Sequence, residues 1–307
     1  MSRAIPFAAG RLAGMVVPHG AGLAALALDG APVILGPPGG GRPAERTWMG
    51  AICGRVANRL GHGRARVGGR IVHLAANEGP HMLHGGAQGL SQQDWAVLAD
   101  GPAAVTLSLV SAAGAMGFPG TLTVTATWAL VPPATLRLTL TAASDAETPV
   151  NLCQHVYVNL DGAPTIDAHR LIHAARRWLP TDDAGIPTGA VAPVRGTPLD
   201  YAAPRPVGSH DATLILADAR RDAPAFAARV EAGGRAVELW TTEPALHLYT
   251  GEHLPEGLAL EGRCGGPRAG LCLEAMGWTD APNHPHFPSI TLAPGAPWRQ
   301  ITEFRFD

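Results

Sequence analysis

The ten residues Asn151-Leu152-Cys153-Gln154-His155-Val156-Tyr157-Val158-Asn159-Leu160, closed by Asp161-Gly162, interleave apolar and β-branched side chains with Asn, Gln, His and Tyr. That pattern suits a strand, on which alternate side chains face the same way. It predicts that Asn151, Cys153, His155, Tyr157 and Asn159 share one face. A buried strand face is ordinarily apolar, so a face carrying Asn, His and Tyr is expected to line a polar cleft. His155 is its proton-transfer group, since an imidazole titrates near neutral pH; a satisfied structural histidine between sheets is the competing reading. A second candidate is the carboxylate of Leu271-Cys272-Leu273-Glu274. The apolar residues of that strand would desolvate Glu274 and strengthen it as a base, although a buried ion pair with an arginine also fits.

Two further polar clusters lie in tight, glycine-bounded turns, Asn58-Arg59 and His84-Gly85-Gly86. Glycine lets backbone approach a ligand closely, and arginine presents a rigid fork of donors suited to paired hydroxyls or a carboxylate. Taken singly, each cluster fits a solvated surface turn equally well.

Composition removes several classes of chemistry. All 23 basic residues among the 307 are arginine, scattered without a basic block, and the formal net charge is -2. Nucleic acid and anionic membrane are therefore poor partners. With no lysine, Schiff-base and pyridoxal-phosphate chemistry and any Walker-type phosphate loop are excluded. The Gly36 to Pro43 loop lacks the glycine spacing of a dinucleotide fingerprint. Cys53, Cys153, Cys264 and Cys272 form no C-x-x-C pair, so neither a disulfide framework nor a zinc knuckle is signalled. Arg11 interrupts the apolar run a signal peptide would need, and no apolar stretch is long enough to span a membrane. A soluble cytoplasmic protein, monomer or homodimer, is expected.

The elements that must hold these groups read as strands. Val105, Leu107 and Leu109 alternate with Thr106 and Ser108; Leu122, Val124, Ala126 and Trp128 alternate with threonines; Leu136, Leu138 and Leu140 alternate with Arg137, Thr139 and Thr141. These are half-buried antiparallel strands. Short apolar runs at Met15 to Val17, Ala24 to Leu28 and Pro32 to Leu35 are separated by turn residues, and Ala228 to Glu231 with Ala236 to Thr241 reads as a hairpin. Ile290 to Leu292 and Thr302 to Phe306 would close the chain. The best helical candidate, Asp218 to Val230, is interrupted by Pro224. The expectation is an all-β protein, a large antiparallel β-sandwich, with residues 1–307 in one domain.

Gly54-Arg55-Val56-Ala57-Asn58-Arg59, followed by Leu83-His84-Gly85-Gly86 and Trp95, resembles the N-terminal signature of the aldose 1-epimerase (galactose mutarotase) family. Further matches follow in the family's order: Gly117-Phe118-Pro119-Gly120, Thr148 to Leu160 around His155, Trp178 to Asp200, and Leu248-Tyr249-Thr250-Gly251 through Glu274 to Pro288. The resemblance spans about residues 10 to 306. It implies the galactose mutarotase-like supersandwich fold and interconversion of the α and β anomers of a sugar. That reaction opens the ring at C1, turns about C1–C2 and closes again, with a base on the C1 hydroxyl and an acid on the ring oxygen. It needs no cofactor and no metal. By resemblance Glu274 is the catalytic base, His155 the catalytic acid, His84 the assisting histidine, and Asn58 and Arg59 the sugar-binding pair. Asp211 matches a family aspartate whose neighbours differ here, and His247 stands where the family commonly has glutamine.

Other readings remain open on residues alone. Two histidines and a carboxylate on strands could form a two-His-one-carboxylate metal site, although no H-x-D/E pair accompanies them. A sugar-binding module without turnover would need acceptors and aromatic platforms rather than a matched acid and base. A mutarotase for an anionic sugar, phosphorylated, uronic or sulfonated, is the third. His247, Arg59 and His210 would make a cationic pocket favouring an anion through charge-assisted hydrogen bonds, unless His247 replaces glutamine as a neutral partner.

Overall fold

The computed structural model describes residues 4–41 and 46–307. Among them every regular element is a strand or a three-residue 3-10 turn. The expected alternation is realised in a nine-stranded antiparallel sheet whose order begins Ala96–Asp100, Ala104–Ser111, Leu122–Val131, Thr135–Ser144. Leu122, Val124, Ala126 and Trp128 are fully buried, as are Leu136, Leu138 and Leu140, while the threonines between them face outward. The last strand is longer than its sequence signal: Trp298–Phe306 lies between Thr135–Ser144 and Arg235–Thr241. It joins the early hairpins to the Ala225–Ala232 and Arg235–Thr241 hairpin. Asp218 to Val230 is not helical. Pro224 removes an amide donor, and the residues after it enter the sheet instead.

A six-stranded antiparallel sheet runs Tyr157–Val158, Leu271–Met276, Ala245–Tyr249, Asp211–Ile215, Arg177–Leu179, Ala192–Pro193. A four-stranded sheet is made by Ile5–Ala9, Leu12–Val17, Gly22–Leu28 and Ala31–Pro32, its first strand lying ahead of any signal read from the sequence. One core cluster takes Leu246, Leu248, Leu271, Leu273 and Ala275 from the six-stranded sheet. It also takes Leu107, Trp128, Leu138 and Phe304 from the nine-stranded sheet and Leu12, Val16 and Leu23 from the four-stranded one. One face of the six-stranded sheet is thus committed to the core, and the period of two sends the alternate side chains to the other face.

The stretch Asn151 to Leu160 is not one strand, contrary to the expectation. Cys153–Gln154 pairs with Ile52–Cys53, whereas Tyr157–Val158 pairs with the Leu271–Met276 strand. Between them the side chain of Gln154 accepts the Val156 amide at 2.8 Å and donates to the Leu273 carbonyl at 2.7 Å, replacing ladder bonds. All ten residues are buried. Asn151 ties down Gly277, and Asn159 holds the 163 and 269 carbonyls. Of the five residues expected on one polar face, only His155 and Tyr157 reach the cavity described next.

Candidate active site

The register of the six-stranded sheet builds a floor. Glu274, His247 and Thr213 stand directly opposite one another across three neighbouring strands, and two residues along lies the row Tyr157, Cys272, Tyr249, Asp211. These positions alternate with the core residues Leu271, Leu273, Leu246 and Leu248, so all point to the outer face. The walls come from the two glycine-bounded turns. At Gly85, whose φ is +83°, a Cβ would run into the Gly54 carbonyl, so only glycine lets the His84 turn close on the Arg55 to Arg59 turn. Arg55, though buried, is not a ligand group. Its guanidinium donates to the carbonyls of Pro119, Gly120, Ser111 and Ala112, locking the Phe118-Pro119-Gly120 turn to the first signature. That structural role was not read from the sequence.

Floor and walls enclose a cavity of about 440 Å³, within the range of small-ligand sites. Glu274, His155, His84, Asn58, Arg59, Asp211 and His247 all line it. Oε1 of Glu274 lies 3.7 Å from Nε2 of His155, and both side chains are almost wholly buried. Oε2 of Glu274 faces the Cys153 thiol at 3.1 Å. The His155 ring meets His84 edge-on, with centroids 5.3 Å apart, and Trp48 packs against His84 at 4.7 Å.

Burial pushes His84 well below the ordinary histidine range, reinforced by the charges of His155, His247 and Arg59, so its ring is neutral. The backbone N–H of Asn58 donates to Nδ1 of that ring at 3.2 Å, which leaves the proton on Nε2. His84, His155 and Glu274 lie close enough to hold a metal. The imidazole of His84, however, has its Nδ1 lone pair engaged and its Nε2 protonated, so it has no free lone pair for an ion, and the donor set fits the metal reading poorly. Burial also lowers His155, opposed by the charge of Glu274. The expected titration near neutral pH is thereby corrected: His155 holds its proton less firmly than a free imidazole and is the stronger acid when protonated.

Arg59 donates to Glu78 at 2.8 Å and reaches Asp211 at 3.5 Å. His247 joins Asp211 through Nε2 at 2.8 Å and Thr213 through Nδ1 at 3.0 Å. Burial alone would lower His247, but the hydrogen bond and charge of Asp211 outweigh it and raise it. Burial would raise Asp211, yet His247 and Arg59 hold it well below the usual carboxylate range. His210 does not contribute to the cavity. It is bonded to the Tyr201 hydroxyl at 2.7 Å, and burial pushes it down to about 4, so it is neutral. Of the three groups that would make the pocket cationic, His210 thus lies outside it, and Arg59 and His247 are paired with Glu78 and Asp211. Arg46, Trp48, Glu78 and His253, which also line the cavity, were not read as site residues. Glu78 sits in an ordinary turn sequence, and nothing local ties it to an arginine nineteen positions earlier.

The Asp211–His247 pair makes a stability prediction. Asp211, lowered from 3.8, contributes above that value and loses its contribution as pH falls through the depressed one; His247, raised from 6.5, contributes below 6.5 and loses it as pH rises through the raised one. Both contributions are complete between those two ordinary values. Asp211 is partly exposed, which moderates the effect. Asp211→Asn is expected to lower Tm by about 2 °C or more within that window, with a smaller difference at pH 9. Thermal melts of both proteins across pH check this; a difference that does not vary with pH contradicts the pairing.

Comparison with known proteins covers nearly the whole chain. The family described as Aldose 1-epimerase matches residues 7–305. Galactose mutarotase of Rattus norvegicus is 39% identical over 280 residues, 85% of this chain and 80% of that protein. Aldose 1-epimerase of Escherichia coli (strain K12) is 32% identical over 283 residues, 85% and 81% of the two chains. Among solved structures, an aldose epimerase homologue from C. elegans superimposes with a TM-score of 0.93 at 27% identity, covering 100% of this chain and 99% of its own. Galactose 1-epimerase from Lactobacillus acidophilus gives 0.86 at 25% identity, covering 100% and 98%.

Proposed function

The chain belongs to the aldose 1-epimerase family and is an isomerase that interconverts the α and β anomers of a free aldose, and we propose that Glu274 and His155 are its base and acid. One observation carries this assignment. The C1 hydroxyl and the ring oxygen of a hemiacetal are bonded to the same carbon, so base and acid must be neighbours, and the Glu274 carboxylate faces the His155 imidazole at 3.7 Å on the cavity floor. Glu274 takes the C1 hydroxyl proton while His155 protonates the ring oxygen; the C1–O5 bond breaks, the chain turns about C1–C2, and the roles reverse on closure. His84 presents its Nε2–H to the ring oxygen or a neighbouring hydroxyl. Asn58, Arg59, Asp211 and His247 hold the remaining hydroxyls, with the Trp48 ring as a wall.

The preferred substrate is a neutral aldose of the galactose or glucose type. Arg59 and His247 already have carboxylate partners in Glu78 and Asp211, and Glu274 adds a negative charge on the floor. A second anion would enter beside that carboxylate, and the remaining arginine on the cavity wall, Arg46, is exposed and its charge is screened by solvent. The chain works as one domain, as a monomer or homodimer, in the cytoplasm; its four cysteines are all free thiols. No described helix is long and apolar enough to cross a membrane.

Saturation-transfer NMR between anomeric protons, run over neutral aldoses, uronates and sugar phosphates, tests the preference. Neutral sugars are expected to show the higher kcat/KM by about tenfold or more, equivalent to ~1.4 kcal/mol. His247→Gln is expected to raise KM for them while leaving the salt dependence flat. A uronate turned over faster than galactose, with a salt-sensitive KM, would establish the anionic reading instead.

A further inference from the structure

We propose that Cys153 is a positioning residue for the base: its thiol donates a hydrogen bond to Oε2 of Glu274, leaving Oε1 turned to His155 and the sugar. The inference rests on the assignment of Glu274 as the base. Cys153 does not line the cavity; it lies beneath the carboxylate, fully buried, in a cluster with Cys53, Ala57 and Met276. Cys53 stands directly opposite it on the neighbouring strand. Burial raises the Cys153 thiol well above its ordinary range, reinforced by Cys53 and by the charge of Glu274, so the sulfur keeps its proton and is a donor. A carboxylate in ionised form only accepts, and each oxygen buried without a donor is costly. Cys153 satisfies the oxygen that the substrate does not use.

The choice of a thiol matters for a base. A hydroxyl in the same place would form a shorter and stronger bond to the carboxylate and hold its charge more firmly, whereas a thiol is a weak donor. Cys153 therefore orients Glu274 without quenching it. The other groups facing this carboxylate are His155 and Tyr157 from the Asn151 to Leu160 stretch and His84 from the turn above. His247 lies across the ladder and Cys272 two residues back on the same strand, with Cys53 behind Cys153. None of these is altered by a substitution at 153.

The test is the pH dependence of kcat/KM for anomer interconversion in Cys153→Ser and Cys153→Ala, with Glu274→Gln as reference. The acid limb of that profile is expected to move to lower pH in Cys153→Ser and to higher pH in Cys153→Ala. Each displacement should be about half a pH unit or more. A merely structural cysteine would change Tm or the plateau rate and leave the limb in place. If the limb stays put in both variants while Glu274→Gln is inactive, the positioning role is overturned and Glu274 stands as the base. If Glu274→Gln keeps activity within about threefold, both fall. Infrared spectroscopy covers the case in which neither variant at 153 folds: an S–H band of the wild type should move to higher frequency in Glu274→Gln, and an unchanged band overturns the proposal.

Discussion

Glu274→Gln is expected to lower kcat by roughly 10² to 10⁴, the usual worth of positioned general acid–base catalysis, with little change in Tm. The amide has the shape of the carboxylate, and its carbonyl oxygen can still accept from the Cys153 thiol, so the strand from Leu271 to Met276 keeps its place between Tyr157–Val158 and Ala245–Tyr249. What is lost is the ability to remove the C1 hydroxyl proton. No other carboxylate stands in for it: Asp211 is committed to His247 and Arg59, and Glu78 to Arg59. The loss should therefore fall on kcat rather than KM. Activity within about threefold of wild type would remove Glu274 from the mechanism.

A loss of similar size, roughly 10² to 10⁴, is expected for His155→Asn. The backbone of His155 is fixed by its amide bonded to the Ala51 carbonyl and its carbonyl bonded to the Gly50 amide, so the substitution changes the side chain and little else. His84 cannot replace it as a charged acid, because burial and the neighbouring positive charges keep its ring neutral. The pH profile separates the two roles. Burial lowers His155 against the pull of Glu274, so kcat/KM in the wild type should fall with rising pH through a titration below the ordinary value of 6.5. That limb should be missing in His155→Asn. Because acid and base act in one step, the double variant should be little worse than either single one.

The fold was legible wherever one side of a strand meets the core. Leu122 to Trp128 alternate with threonines and Leu136 to Leu140 with Arg137 and Thr139, and burial follows that alternation residue by residue. Glu274 was legible for the same reason, since Leu271 and Leu273 enter the core and force residue 274 to the opposite face. The Asn151 to Leu160 stretch was misread because its polar side chains satisfy backbone groups rather than sharing a face. Gln154 caps Val156 and breaks the strand between two different partners, information that lies in residues a hundred or more positions away. The fate of His247 was hidden likewise. Only the register opposite Thr213, two residues from Asp211, shows that its charge is answered within the site. His210 and His247 look alike as sequence, yet one faces Tyr201 and the other faces the cavity.

A crystal structure of Glu274→Gln with a bound aldose tests the central claim most directly, because the variant should bind sugar without turning it over. The C1 hydroxyl is expected within hydrogen-bonding distance of the side chain at 274 and the ring oxygen within reach of Nε2 of His155, with the far hydroxyls on Arg59, Asp211 and His247. A sugar seated with its C1 end toward Tyr249 and His253, or bound outside this cavity, would contradict the assignment of base and acid.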